Sequence, residues 1–367
     1  KIIDILNQDQ ITLSFEVFPP KKIEKYDSVQ AATEGVAALH PSFMSVTYGA
    51  GGGTSEFTLN IAKNIRDKYG VEVLPHLTCV SSTKAHVHEM IQKFKEYGFE
   101  NVMALRGDIP EGGAPYDDYH YASELVADIK SQGDFCIGGA CYPDGHVECA
   151  HKDDDIRNLK RKVDAGVDFL TTQMFFDNAE FFNFLYRLRE QDIRVPVLAG
   201  IMPITNQKQL GRSVALSGTT VPTRFKEIVD KFGEHPEAMK QAGIIYATEQ
   251  IIDLIANDVK HIHVYSMNKP DVAEAIQRNL SEILKTDILL PIGTQPEDAG
   301  SLHASVTHPL LCVLITITHR KVKGTMIDMR LREVYRYLGY RKITPTPEID
   351  ARIQQCIARM QTAATPR

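Results

Sequence analysis

Short apolar runs punctuate this chain at near-regular intervals. They lie at 11–18, 43–48, 71–79, 101–106, 135–141, 168–175 and 195–201, starting roughly 27–34 residues apart. An eighth run, 259–265, follows after about twice that spacing, which leaves room for an extra helix or two. Between the runs lie amphipathic stretches at 56–69, 85–97, 122–131, 154–165 and 179–191. Their apolar residues recur at i, i+3/i+4, as in Leu59, Ala62 and Ile65, or Met90, Phe94 and Tyr97. Each interval is therefore one βα unit. Parallel strands need such crossovers, and closing eight of them leaves no sheet edge, so the expected fold is α/β, a (β/α)8 TIM barrel. An open doubly wound sheet is the alternative; the absence of GxGxxG after the first run weakens its dinucleotide-binding form.

The repeat stops after a helical stretch at 271–284. We expect a catalytic barrel over residues 1–286, a linker over 287–324 rich in Pro and Gly, and a short helical C-terminal tail over 325–367. The chain has 367 residues and a net charge of −6, a poor balance for a surface that neutralises nucleic-acid phosphates. Its longest apolar run, 309–317, falls far short of the roughly 20 residues of a membrane helix. Lys1-Ile2-Ile3-Asp4 lacks a signal-peptide pattern, and six cysteines without a CxxC fit reduced thiols, so a cytoplasmic location is expected.

In a barrel, chemistry collects where strands end and βα loops begin. The first strand, Leu13-Ser14-Phe15-Glu16-Val17-Phe18-Pro19-Pro20, carries a carboxylate in an apolar setting. Burial should raise its pKa towards neutrality, as a general acid requires; an ion pair with a barrel Lys or Arg is the other reading. After the second strand, Gly49-Ala50-Gly51-Gly52-Gly53-Thr54 is either an anion nest or a flexible turn. His76, in the third strand, is a ligand contact or a satisfied core histidine. Arg106-Gly107-Asp108 closes the fourth as a binding loop or a local Arg–Asp pair. Gln173, after the sixth, has the donor and acceptor for a heterocycle edge or for loop backbone. Cys141, His146, Cys149 and His151 fit no tight zinc spacing, and no metal is expected.

In order along the chain, these segments resemble the bacterial 5,10-methylenetetrahydrofolate reductases. The resemblance rests on Ser14-Phe15-Glu16-Val17-Phe18-Pro19-Pro20, Ser45-Val46-Thr47-Tyr48-Gly49-Ala50, Pro75-His76-Leu77-Thr78-Cys79 and Ala104-Leu105-Arg106-Gly107-Asp108. Leu159-Lys160-Arg161-Lys162-Val163-Asp164-Ala165-Gly166, Thr172-Gln173-Met174-Phe175-Phe176-Asp177 and Tyr265-Ser266-Met267-Asn268 complete it. It runs from about residue 12 to about residue 284. The family implies an FAD-bearing barrel that reduces methylenetetrahydrofolate to 5-methyltetrahydrofolate with NADH or NADPH as donor. It places Glu16 on the catalytic acid, Asp108 on a carboxylate between flavin and pterin, and Gln173 on a folate contact. It matches Thr47, Tyr48, Ala50, His76, Arg106, Gly107, Asp108, Tyr121, Ala122, Tyr142, His146, Asp155, Asn158, Arg161 and Lys162 to the FAD site. Gln209 and Lys269 match further folate contacts.

There are departures. Lys269 stands where a bacterial relative has Arg, replacing a bidentate fork by a point charge. Ser213 stands near a place where an aromatic would stack on the ligand, which leaves the donor open between NADH, NADPH and a partner electron-transfer subunit. A homo-oligomer is expected. Tyr337-Leu338-Gly339-Tyr340 and Pro347-Glu348-Ile349-Asp350 faintly resemble the opening of methionine-synthase activation-domain proteins, and an unrelated helical extension is the alternative. Two other functions remain in competition: a flavin-free folate-barrel methyltransferase and a non-catalytic barrel serving as scaffold.

Overall fold

A computed structural model describes residues 1–20, 22–48, 55–109, 117–149 and 151–285. The linker and tail expected over 287–324 and 325–367 lie outside the described residues, as do Ala50 and the rest of the Gly-rich segment.

Eight parallel strands close a barrel in sequence order: β1 (Thr12–Val17), β2 (Met44–Val46), β3 (Val73–Thr78), β4 (Asn101–Leu105), β5 (Cys136–Cys141), β6 (Phe169–Thr172), β7 (Val197–Ile201) and β8 (His261–Tyr265). Each falls within an apolar run of the sequence but is shorter, because the flanking apolar residues continue into packed loops. A short helix, α1 (Ile2–Leu6), precedes β1, and α2 (Tyr26–Ala37) follows it. The later crossovers are α3 (Ser55–Tyr69), α4 (Lys84–Tyr97), α5 (Ala122–Gln132), α6 (Lys152–Asp164) and α7 (Asn178–Glu190). The long interval before β8 holds three helices, α8 (Gln207–Ser217), α9 (Thr223–Phe232) and α10 (Pro236–Ala256), two more than a single crossover needs. Last comes α11 (Pro270–Asn279), shorter than the sequence pattern suggests; a 3-10 turn at Ile283–Lys285 takes up the remainder.

Capping sets several of these starts. Thr83, Asp177 and Asn206 each accept a backbone N–H of the first turn of α4, α7 and α8, respectively. Gly98 and Gly218 end α4 and α8 in the left-handed conformation, φ +70° and +66°.

The barrel interior has two floors. The lower one is apolar: Phe43, Leu74, Met103, Cys136, Phe169 and Leu198 pack together, with Ile2 and Leu6 of α1 inserted from below. The Ile2 N–H donates to Asn101 Oδ1 at 2.8 Å, which fixes this stopper to the foot of β4. Gly138 makes room for the largest ring there, since a Cβ would stand 2.8 Å from Phe169 Cζ. Burying that phenyl contributes roughly 1.5–3 kcal/mol. Two residues further along the strands the interior turns polar, with Glu16, Ser45, His76 and His263.

Outside the barrel, Glu34 of α2 accepts from Lys68 at 2.7 Å, Asn64 at 2.9 Å, Gln30 at 3.1 Å and Tyr69 at 3.2 Å, locking α2 to α3. These bonds pull its carboxyl from 4.5 down to about 2. A depressed carboxyl contributes stability that is complete above the unfolded pKa and is lost as pH falls through the folded one. Glu34→Gln is therefore expected to lower the thermal midpoint at neutral pH. Its deficit against the parent should shrink as pH falls from 4.5 to about 2, read by circular dichroism melts across that range.

Candidate functional site

Strand register builds the centre of the site. Ser14 pairs with His263 across β1–β8, and Glu16 pairs with Ser45 across β1–β2. A slip of one residue in either ladder would turn these side chains away from the interior. His263 is 1% exposed. Its Nδ1 lies 2.8 Å from Ser14 Oγ, and its Nε2 lies 3.2 Å from Ser45 Oγ. Phe43 stacks against its ring at 5.9 Å, and Tyr265 meets it edge-on at 5.6 Å. Ser45 Oγ in turn donates to Glu16 Oε2 at 3.2 Å. His76 Nε2 and His263 Nε2 lie 3.5 and 3.8 Å from that same oxygen.

This geometry corrects the expectation for Glu16. Burial does push its carboxyl up, but His263, His76 and the Ser45 hydroxyl, all facing one of its oxygens, outweigh it and hold Glu16 below the usual carboxylate range. Its ion-pair partners are histidines, rather than the Lys or Arg that the strand pattern suggests. Burial takes His76 the other way, down to about 4, so it is neutral at neutral pH. His76 is not a satisfied core histidine: its Nε2, like Thr78 Oγ1 two residues on, is buried without a hydrogen-bond partner among the described residues.

The loop after β8 holds Glu16 from the backbone side. Ser266 Oγ donates to the Glu16 carbonyl at 2.6 Å. Asn268 brackets Phe18, accepting from its N–H at 3.0 Å and donating to its carbonyl at 2.8 Å. Met267 and Asn268 reach this position with φ of +53° and +52°. That conformation is unusual for Met and suggests a loop shaped by its task.

The residues matched to FAD follow the strand ends from β2 and continue along α6 to its last turn. Tyr48 is buried, its hydroxyl 2.8 Å from His86 Nε2, and burial pushes the phenol up to about 12. The Thr47 N–H donates to Val17 O at 3.0 Å. Gly107 adopts φ +82°, and a Cβ there would stand 2.8 Å from Thr78 Cβ. Arg106 does not pair with Asp108; its guanidinium grips Glu148 with two bonds of 2.6 and 2.8 Å. Asp108 is exposed. Tyr121 is exposed and caps α5, whose first residue Ala122 is buried. Tyr142 stacks edge-on to His146 at 4.6 Å. The His146 N–H donates to Asp155, whose carboxyl burial pushes up. Lys162 donates to Ala140 O at 2.6 Å, and burial pulls its ammonium down. On the exposed side of α6, Arg161 donates to Asn158 Oδ1 at 3.2 Å.

Gln173 accepts from the Met174 N–H at 3.0 Å, the loop-backbone role. Gln209 and Lys269, far apart in sequence, meet at Thr205. Gln209 Oε1 accepts from the Thr205 N–H at 3.1 Å, and Lys269 Nζ donates to Thr205 Oγ1 at 2.6 Å. Ser213 is buried in α8. Among the described residues no cluster of His, Cys, Asp or Glu could hold a metal ion, and no helix is long and apolar enough to cross a membrane.

His263, Ser14 and Ser45 escaped attention as site residues in the sequence. Their signal was polar residues two apart in short apolar strands: Ser14 and Glu16, Ser45 and Thr47, His76 and Thr78, His263 and Tyr265. Such spacing puts them on one face of each strand.

Acid–base groups gathered at the C-terminal end of a parallel barrel define an enzyme of the (β/α)8 class. The methylenetetrahydrofolate reductase family model matches residues 1–281. The 5,10-methylenetetrahydrofolate reductase of Escherichia coli is 35% identical over 273 residues, 74% of this chain and 92% of that one. The enzyme of Pectobacterium carotovorum is also 35% identical, over 74% of this chain and 91% of its own. Methylenetetrahydrofolate reductase (NADH) 1 of Zea mays is 33% identical over 81% of this chain and 52% of its own length. Among solved structures, an uncharacterised Clostridium thermocellum protein that binds two copies of 5-methyl-5,6,7,8-tetrahydrofolic acid has the same fold. It has a TM-score of 0.54 and 16% identity, covering 77% of this chain and 98% of that one. This chain belongs to the methylenetetrahydrofolate reductase family, oxidoreductases that reduce methylenetetrahydrofolate.

The site also depends on an absent side chain. A Cβ on Gly200 would stand 2.2 Å from Thr172 O and 2.7 Å from the Tyr265 hydroxyl, which itself donates to Thr172 O. Gly200→Ala is expected to cost about 1–3 kcal/mol of stability through overpacking. Denaturant unfolding checks this, and an unchanged midpoint would show that β7 can move freely away from Thr172 of β6 and Tyr265 of β8.

Proposed function

We propose that the enzyme is a flavoprotein that reduces 5,10-methylenetetrahydrofolate to 5-methyltetrahydrofolate with FAD as cofactor, NADH or NADPH as electron donor and Glu16 as general acid. The observation that carries this reading is a carboxylate in the barrel wall, with one hydroxyl hydrogen-bonded to one of its oxygens and two imidazoles facing that same oxygen. A scaffold would gain nothing from that arrangement.

The residues present suit FAD. His76 Nε2 and Thr78 Oγ1 are buried polar atoms in want of partners, and Gly107 keeps the strand end low enough for close approach. Arg106, Arg161 and Lys162 supply cationic donors for a pyrophosphate, while Asp155, Asn158, Tyr142 and His146 offer polar edges. Thr47, Tyr48, Tyr121 and Ala122 would line the rest. When bound, FAD supplies hydride transfer to the methylene carbon.

The protein's own part is to move a proton and to orient the folate. The methylene group bridges two folate nitrogens in a five-membered ring, and opening it to an electrophilic iminium needs a proton on one of them. Glu16, in the barrel wall, would give it. Asp108 would bear on the flavin and the pterin, and Gln173 would meet the pterin edge. Gln209 and Lys269, joined through Thr205, would hold the remainder of the folate. Both substrates would use one site in turn, as ping-pong kinetics would show.

Two measurements test the proposal. The purified protein is expected to show oxidised-flavin absorbance that NADH or NADPH bleaches under anaerobic conditions. A colourless protein that takes up no added FAD would overturn the flavin reading, and bound flavin that neither nucleotide bleaches would point to a partner electron-transfer subunit. Glu16→Gln is expected to keep the flavin and its reduction by the donor while folate reduction falls by roughly 10²–10⁴-fold. Unchanged folate turnover would remove Glu16 from the acid role.

A further inference from the structure

A general acid must carry a proton when substrate arrives, yet the surroundings of Glu16 favour its carboxylate. The same surroundings hold a second place for that proton. Ser45 Oγ stands 3.2 Å from Glu16 Oε2 and 3.2 Å from His263 Nε2. Ser14 Oγ stands 2.8 Å from His263 Nδ1 and 3.1 Å from the Ile262 carbonyl. A hydroxyl has one hydrogen to give. When Ser45 gives its hydrogen to the carboxylate, it faces Nε2 as an acceptor. When Ser14 gives its hydrogen to Ile262 O, it faces Nδ1 as an acceptor. Both ring nitrogens are then donors, and the ring is an imidazolium.

We infer that His263 stores the proton of the acid, and that Ser45 conducts it to Glu16. In the transfer, the Nε2–H bond of His263 breaks and Ser45 Oγ takes that proton. The O–H bond that Ser45 held breaks, and its proton bonds to Glu16 Oε2. Ser45 ends as a hydroxyl, His263 as a neutral imidazole with Nδ1–H still on Ser14, and Glu16 as a neutral acid. The triad's net charge does not change. Glu16 then protonates the folate nitrogen, and one proton taken up from solvent restores the imidazolium.

The neighbours fit this role. From β3, His76 faces the same Glu16 oxygen at 3.5 Å, but its burial leaves it neutral at neutral pH, so it does not compete as a store. From β8, Tyr265 meets His263 edge-on, and its phenol is spent on Thr172 O. Phe43 covers the remaining face. The carboxylate at 3.8 Å offsets the cost of a buried imidazolium. His263 is a positioning residue in the sense that it acts through Ser45 and Glu16.

The inference rests on Glu16 being the acid, and its tests separate the two. In the resting wild-type protein, ¹⁵N NMR of histidine at neutral pH is expected to show both nitrogens of His263 protonated, with the signals assigned by their shift in Ser45→Thr. A neutral tautomer would overturn the store, whatever the enzyme reduces. In the flavin-loaded enzyme, Ser45→Ala is expected to slow the folate half-reaction on the order of 10²-fold, with Ser45→Thr restoring most of it. In H2O/D2O mixtures the wild-type rate should bow, because two protons move together; the Ser45→Ala rate should vary linearly. Wild-type rate and a bowed inventory in Ser45→Ala would show that Glu16 takes its proton directly from solvent, and the relay would fall. Loss of folate reduction in the wild type itself would instead indict the assigned function.

Discussion

A carboxylate set into the wall of a parallel barrel is tolerable only if something nearby compensates it. For Glu16 the compensation comes from three neighbouring strands at once: Ser45 beside it on β2, His76 on β3 and His263 on β8. His263 and Glu16 are themselves held in turn. Ser14 anchors His263, Phe43 and Tyr265 pin its ring, and Ser266 grips the Glu16 backbone. Strand register therefore serves chemistry here as much as packing. The ladders that pair Ser14 with His263 and Glu16 with Ser45 fix the acid–base distances before any ligand is present.

The helices have a different job. Those outside the barrel bury the far face of each strand, and their loops carry the groups suited to a large anionic ligand. Arg106 and Glu148 illustrate how such a rim is kept ordered. A guanidinium at the end of β4 and a carboxylate from the loop after β5 close on each other with two short bonds. Under the proposed function, a ligand phosphate addressing Arg106 would exchange partners with Glu148 and would not meet a bare charge.

Much of this was readable from the chain. The spacing of the apolar runs yields all eight strands in order, because a βα unit has a narrow range of lengths and each strand must be apolar on both faces. The ordered motifs bring out Glu16, His76, Arg106 and Lys162. What the sequence hid was partnership. Glu16 reads as a lone buried acid with a raised pKa, and only the closure of β8 onto β1 sets His263 beside it, some 250 residues away in the chain. His261, His263 and Tyr265 look like an ordinary mixed strand until the barrel closes and sets their shared face against Thr12, Ser14 and Glu16. In the same way, Arg106 reads as a partner for its neighbour Asp108, whereas the fold offers it Glu148. Gln209 and Lys269 meet only because the three helices before β8 return the chain to Thr205.

The apolar lower floor of the barrel has a bearing on more than stability. Among the described residues Phe43, Leu74, Met103, Phe169 and Leu198, stoppered by α1, put an apolar floor beneath the acid. Glu16 above it keeps 21% of its side chain exposed, so protons and water reach it from solvent. A flat ligand lying across the mouth would cover that exposed surface and slow the exchange of protons with solvent. The acid would then work mainly with the proton it held before the ligand settled.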